Sequence, residues 1–273
     1  MSTPPQLTDL TALTRARARA ARAPETFLHD LASTEIEDRL AMVKKSFSSV
    51  VVVTGNAGFW ADVFPQARIV ADDDMLDLAP GTCDLVIHAM ALHWANDPVG
   101  QLIQCQRALR PDGLFLAVFF GGQTLHELRA ALGQAEIELS GGLSPRVAPM
   151  AEIRDLGGLL MRAGFALPVA DAVPVTTSYA SPLHLMRELR AMGEGNALMG
   201  RLRHFTRPSL FTRAEALYRA HFSDPDGRVR ATFDLIFLLG WAPDPSQPKP
   251  LRPGSAQSRL AEALGTTELP LKD

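Results

Sequence analysis

Three runs of unbroken apolar residues punctuate the chain: Val50–Val53 in "SSVVVVTG", Leu85–Ile87 in "CDLVIHAMAL", and Leu114–Phe120 in "GLFLAVFF". Apolar runs without polar alternation predict strands buried on both faces of a parallel sheet. The segment between the last two, "HWANDPVGQLIQCQRALRPDG", has Leu102, Ile103, Cys105, Gln106 and Leu109 in helical register, and "RPDG" is expected to stop that helix. Strand, helix, strand is a βαβ unit, so the pattern predicts an open α/β sheet. Upstream, an Arg/Ala-rich stretch and "FLHDLASTEIEDRLAMVKK" predict two helices, the second carrying Leu31, Ile36, Leu40 and Val43 at roughly helical spacing. Downstream, "HELRAALGQAEIELSG" and "MAEIRDLGGLLMRAGF" predict helices on either side of the loop "GLSPRVAP". A short strand "ADAVPVTTSY", a stretch rich in helix formers, a last strand "RATFDLIFLLGWAP" and an irregular Pro-rich tail follow. The expected organisation is an N-terminal helical arm (1–45), a sheet core (46–180), a helical cap (181–222), and a final strand with the tail (223–273).

Composition adds limits. With 273 residues, 47% of them apolar, the chain can bury a substantial core as one large domain or one domain with a cap. Its net charge of −3 gives no global basic field, so nucleic acid is not an expected partner. The two cysteines, Cys83 and Cys105, fit no metal-ligand spacing and make no disulfide framework, which suits a reducing cytoplasm in a bacterium. No stretch of about 18 apolar residues predicts a membrane span. The run "LTRARARAARAPETF" superficially resembles a mitochondrial transit segment, but Asp9 before it and Pro24 after it favour a solvated helix over a matrix address.

The stretch "DDDMLDLAPGTCDLVIHAMALHWANDPVGQLIQCQRALRPDGLFL" resembles the central segment of class I S-adenosylmethionine-dependent methyltransferases: an acidic turn, "DLV" opening a strand, "LHW" after it, and a helix ending in "LRPDG". With "FFGGQTLHELRAAL", "GGLSPRVAP", "DLGGLLMRAGF", "AMGEGNA" and "GSA", the chain resembles, from about residue 9 to 257, the methyltransferase-fold assembly factors of respiratory complex I, a family that hydroxylates an arginine on a complex I subunit. The malonyl-carrier-protein O-methyltransferases of biotin synthesis are a more distant likeness. The resemblance implies a Rossmann-like class I methyltransferase fold with a shortened, mostly parallel sheet, S-adenosylmethionine as cofactor, and a complex I subunit or other protein client as partner. Its functional alternatives are an assembly chaperone for such a client, a pseudoenzyme whose cofactor site has degraded, and O-methylation of a small or carrier-bound acid.

The family turn after the first strand is an acid followed by Gly-x-Gly-x-Gly. Here Val53 or Thr54 takes the place of the acid, Gly55 and Gly58 remain, and Asn56 and Ala57 stand between them. Asn56 can adopt a left-handed conformation, so the turn can survive either for folding alone or as a cofactor cradle. Asp72–Asp74 have two readings. By spacing, "ARIVADDD" is a second strand with Asp72 as the ribose acid. By the family pattern, favoured for its distance to "DLV", the same acids form the adenine-side turn, the ribose acid is absent, and part of the sheet is deleted. Either reading implies a depleted site, each lost hydrogen-bond partner costing about 1–3 kcal/mol.

The expected cofactor-side residues are therefore Thr54, Gly55, Asn56, Gly58, Asp72, Asp73 and Met75. On the substrate side stand His93 and Trp94 at the carboxyl end of the second run, where open α/β sheets bind ligands, with Gly121, Gly122, Thr124 and Arg146. Glu194 and Asn196 match the assembly-factor pattern. His88 lies within a strand and reads as a core histidine, and Asp97 as a helix cap. No catalytic residue is assigned. None of the 7 histidines opens a His-x-Asp/Glu facial triad, and there is no HExxH, Walker loop or GxSxG elbow, so no metal site is expected.

Overall fold

The computed structural model describes residues 6–248 and 265–266. Six strands form one sheet in the order β2-β1-β3-β4-β6-β5. The apolar runs are its centre: β1 (Val50–Thr54), β3 (Cys83–Ala89) and β4 (Leu109–Gly121) pair in parallel, with β2 (Arg68–Val70) parallel on the outer side of β1. Strand β6 (Val229–Trp241) runs antiparallel between β4 and β5 (Ala166–Tyr179), so the sheet is mostly parallel. Alternate residues feed two cores. Val52, Leu85, Ile87, Leu114 and Leu116 point to one face, and Val51, Val53, Val86, Phe115 and Ala117 to the other. That period of two is why the runs carry no polar positions: both faces are covered.

On the first face lie α2 (Phe27–Met42), α5 (His126–Ser140), α7 (Pro182–Ala191) and α8 (Pro208–Phe222), and on the second α4 (Pro98–Ala108) and α6 (Ile153–Arg162). Asp97 caps α4, its side chain accepting the Gly100 N–H, and the helix stops at Ala108. The following "RPDG" continues as an irregular entry into β4, with Asp112 at φ 59° and the pairing shifting register between Cys83 and Leu85. Helix α2 turns Leu28, His29, Ala32 and Ile36 inward, while Leu31 is 41% exposed, so the predicted apolar stripe is displaced around the helix. His29 Nδ1 accepts the indole N–H of the fully buried Trp60.

Between β1 and β2 the chain makes the single short helix α3 (Ala57–Val63), and Ala71–Thr82 then leads directly into β3 with no further strand. The sheet is thus shortened at this edge. The strand left there hydrogen-bonds directly to β1, the arrangement of the spacing reading. The short strand expected at "ADAVPVTTSY" extends back to Ala166, because β6 offers it a partner from Tyr179 to Val169 and again, after a shift in register, at Ala166.

The arm, sheet and cap belong to one unit ending at Pro243, with Asp244–Asp273 grouped separately. Helix α1 (Leu10–Ala20) is not a purely solvated helix. Asp9 caps it and accepts from Arg201, and Leu13, Ala16 and Ala20 are buried. "GSA" and most of the Pro-rich tail lie outside the described residues.

Candidate functional site

Both parts of the site lie at the carboxyl edge of the parallel strands, where side chains of consecutive loops converge. The first part is the turn after β1. Thr54 is buried and its hydroxyl accepts the Asn56 N–H at 3.1 Å. Asn56 has φ −121°, so the turn forms without the left-handed residue that the sequence suggested. The space over Gly55 is filled by Arg17 of α1: a Cβ built there would stand 2.0 Å from the guanidinium carbon. Arg17 Nη1 donates to both carboxylate oxygens of Asp72, at 2.8 and 2.9 Å, two residues beyond the end of β2.

His88 holds this corner from beneath. Its Nε2 lies 2.9 Å from Gln101 Oε1, and the Gln101 amide donates to the carbonyls of Asp72 and Asp73 at 3.3 and 3.0 Å. Burial pushes the imidazole down to about 4, against the Gln101 hydrogen bond, so it stays neutral and structural. Asp73 contributes its backbone to this clamp while its side chain is exposed.

The second part is a cavity of ≈ 230 Å³. Phe120, Leu128, Leu132, Phe211 and Phe233 provide apolar wall, and His93, Trp94, Thr124, Arg146, Glu194 and Asn196 bring the polar groups. His93 and Trp94 stand in the single 3-10 turn Leu92–Trp94 after β3. His93 Nε2 (3.1 Å) and Trp94 Nε1 (2.8 Å) both meet Glu194 Oε2. Burial would raise the Glu194 carboxyl, but the charge and hydrogen bond of His93, the field of Arg17 and the Trp94 N–H outweigh it and hold it below its ordinary value. Arg146 is fixed by Glu136, with Nη2 to Oε1 at 2.8 Å and Nη1 to Thr206 at 3.2 Å. Asn196 donates to the Pro145 carbonyl at 3.0 Å, tying the segment after α7 to the Arg146 loop.

A Cβ on Gly58 would meet nothing within 4 Å, so Gly58 faces open space beside the turn, whereas the space over Gly55 holds Arg17. Met75, expected on the cofactor side, is 79% exposed three residues after Asp72. Gly121 and Gly122 serve packing: a Cβ on Gly121 would stand 2.5 Å from Ile236, and Gly122 has φ 53° with Asp234 against it. Their neighbour Thr124 reaches the cavity instead. Sequence reading missed Arg17, Gln101 and Glu136. Only the buried face of α1 could have flagged Arg17, and its Arg/Ala composition hides that face.

Residues fitting S-adenosylmethionine are present in part: a turn without a side chain at Gly55, a carboxylate at Asp72 for ribose hydroxyls, and a cation at Arg17 for the amino-acid carboxylate. Thr54 offers a hydroxyl in place of the family acid.

This topology, with its site at the carboxyl edge, defines a class I methyltransferase-fold protein, and the profile described as "Methyltransferase domain" matches residues 56–117. The chain is similar in sequence and fold to members of that superfamily. It is 38% identical over 198 residues to "Arginine-hydroxylase NDUFAF5, mitochondrial" of Danio rerio (72% of this chain, 61% of the relative) and 40% identical over 202 residues to that of Dictyostelium discoideum (74% and 46%). It is also 37% identical over 173 residues to "Malonyl-[acyl-carrier protein] O-methyltransferase" of Halorhodospira halophila (63% and 57%). The chain therefore spans less than two thirds of these relatives' length. The YcgJ protein of Bacillus subtilis superposes with a TM-score of 0.49 at 11% identity, over 78% of this chain and 99% of that one. No helix among the described residues is long and apolar enough to cross a membrane.

Proposed function

We propose that this protein binds S-adenosylmethionine in the Gly55–Asp72 cradle and modifies an arginine of a protein client, a subunit of respiratory complex I, held at the adjoining cavity. The observation that carries the reading is the junction of the two parts. Arg17 pairs with Asp72 in the cradle and also lies close enough to Glu194 in the cavity to stabilise its charge. The arginine-hydroxylase relatives supply the chemical class of the client. When bound, the cofactor supplies an electrophilic methyl group on a sulfonium centre. The chain's own residues orient the ligands: Asp72 accepts from ribose hydroxyls, Arg17 turns from Asp72 to an amino-acid carboxylate, and the Phe120 and Phe233 walls exclude water. Because Arg17 must exchange one carboxylate for another and Thr54 is no acid, the expected affinity is below that of an intact family cradle. On this reading the protein works in a bacterial cytoplasm.

One observation favours the O-methyltransferase alternative: Arg190, exposed at the cavity, is suited to an acidic acceptor. Calorimetric titration with S-adenosylmethionine and S-adenosylhomocysteine tests the cofactor, and micromolar binding is expected. Mass spectrometry of a co-expressed complex I subunit tests the client. A methyl group transferred to an arginine supports the reading, as does an oxygen added to it when dioxygen and a reductant are supplied as co-reactants. Absence of nucleoside binding at millimolar ligand, or an unmodified client beside a methylated carrier-bound acid, overturns it.

A further inference from the structure

We infer that Glu194 is the residue that selects a cationic side chain in the cavity, its free oxygen Oε1 receiving the guanidinium. This rests on the arginine reading above and adds the recognition group. Both hydrogen bonds to Glu194 fall on Oε2, and among the described residues none reaches Oε1, although the side chain is only 11% exposed and lines the cavity. Oε1 is not fully enclosed by protein, so it opens on the cavity, where a carboxylate oxygen with no protein donor can take one from a ligand.

His93 repeats the pattern. Its side chain is 3% exposed, Nε2 is spent on Glu194, and Nδ1 has no partner among the described residues. With Nε2 engaged by the carboxylate, Nδ1 is the ring atom left without a protein partner. A carboxylate oxygen without a protein donor in a largely apolar chamber suits a ligand head that donates only, and a guanidinium has five N–H groups and no acceptor. The indole of Trp94 and the rings of Phe120 and Phe233 line the same space and favour a cation over a neutral head of equal shape.

The cations already present do not cancel this. Arg17 acts on Glu194 through its field while its hydrogen bonds go to Asp72, Arg146 is bound to Glu136, and Arg190 is exposed, whereas the Glu194 side chain is 11% exposed. The volume of ≈ 230 Å³ lies below the roughly 300 Å³ at which pockets for drug-sized ligands begin, and suits one side chain inserted from a client.

The test uses the full chain and three blocked amino acids: N-acetyl-arginine methylamide, its citrulline counterpart and its glutamate counterpart. Binding is followed by calorimetry with S-adenosylhomocysteine present. The wild type is expected to bind the arginine compound at least about tenfold more tightly than the citrulline or glutamate one, from one charge-assisted hydrogen bond. Glu194→Gln, which keeps the shape and the Trp94 and His93 neighbours, is expected to lose that preference. Glutamate binding better than arginine to the wild type overturns the inference without any variant. A Glu194→Gln protein that folds, by its unfolding midpoint, and keeps the full arginine preference also overturns it. If that variant still modifies the client arginine at the wild-type rate, the inference fails while the arginine reading stands. If the wild type neither binds the arginine compound nor modifies the client, both fall.

Discussion

Glu136 offers the sharpest quantitative test of how the cavity is held open. It lies on α5 at 4% exposure and accepts from the Ser144 N–H (2.9 Å), the Ser144 hydroxyl (2.7 Å) and Arg146 Nη2 (2.8 Å). These bonds tie α5 to the loop that carries Arg146, Val147, Ala148 and Met150 into the cavity. Burial would raise the carboxyl, but the Arg146 and Ser144 hydrogen bonds bring it from 4.5 down to about 2. At 1.36 kcal/mol per unit this corresponds to a ceiling of about 3 kcal/mol, and screening of the partly exposed Arg146 reduces the expectation to about 2 kcal/mol. A lowered carboxylate contributes fully above its unfolded value of 4.5 and loses that contribution as pH falls toward about 2. Glu136→Gln should therefore unfold in urea with about 2 kcal/mol less stability than wild type near neutral pH, and the gap should close on acidification. Since both proteins share every other carboxylate, the difference isolates this one. A gap that stays constant down to about pH 3, or one below about 0.5 kcal/mol at neutral pH, refutes the argument.

Two further outcomes follow from the same structure. Gly55→Ala places a Cβ 2.0 Å from the Arg17 guanidinium and must displace it from Asp72; with a partly buried pair worth about 1 kcal/mol, Gly55→Ala and Arg17→Ala should each cost about that much and the double variant no more, so additive losses in denaturant unfolding would disprove the contact. Cys83 and Cys105 are both free and buried, and burial raises both thiols, so neither should react with a thiol-specific disulfide reagent in the native protein while both react in denaturant; fast native labelling would contradict their burial.

Most of the fold was legible because the βαβ signals are local. Val50–Val53 and Leu85–Ile87 could hardly be anything but central strands, and Asp97 with Pro98 announced α4. The errors have equally local causes. Leu31 keeps apolar spacing yet faces out, because the side of α2 that docks on the sheet is set by Trp60 and the strands beneath it. The glycines at 121 and 122 read like a ligand turn but answer to Ile236 and Asp234, more than a hundred residues later. At the site, His93 and Trp94 could be placed at a strand end from the sequence, while Arg17 could not, since its partner Asp72 is 55 residues away.

The sequence alone determined the parallel centre of the sheet, the crossover helix, and the carboxyl edge where His93 and Trp94 emerge. Those follow from the period of apolar residues and from capping chemistry, which act over a few positions. Only the tertiary structure decided that β2 pairs with β1, that α1 lays Arg17 over Gly55, and that Glu194 closes on His93 and Trp94 from 101 and 100 residues away. Such pairs depend on which helices pack together over the strand ends, and that packing is settled by burying the whole core at once.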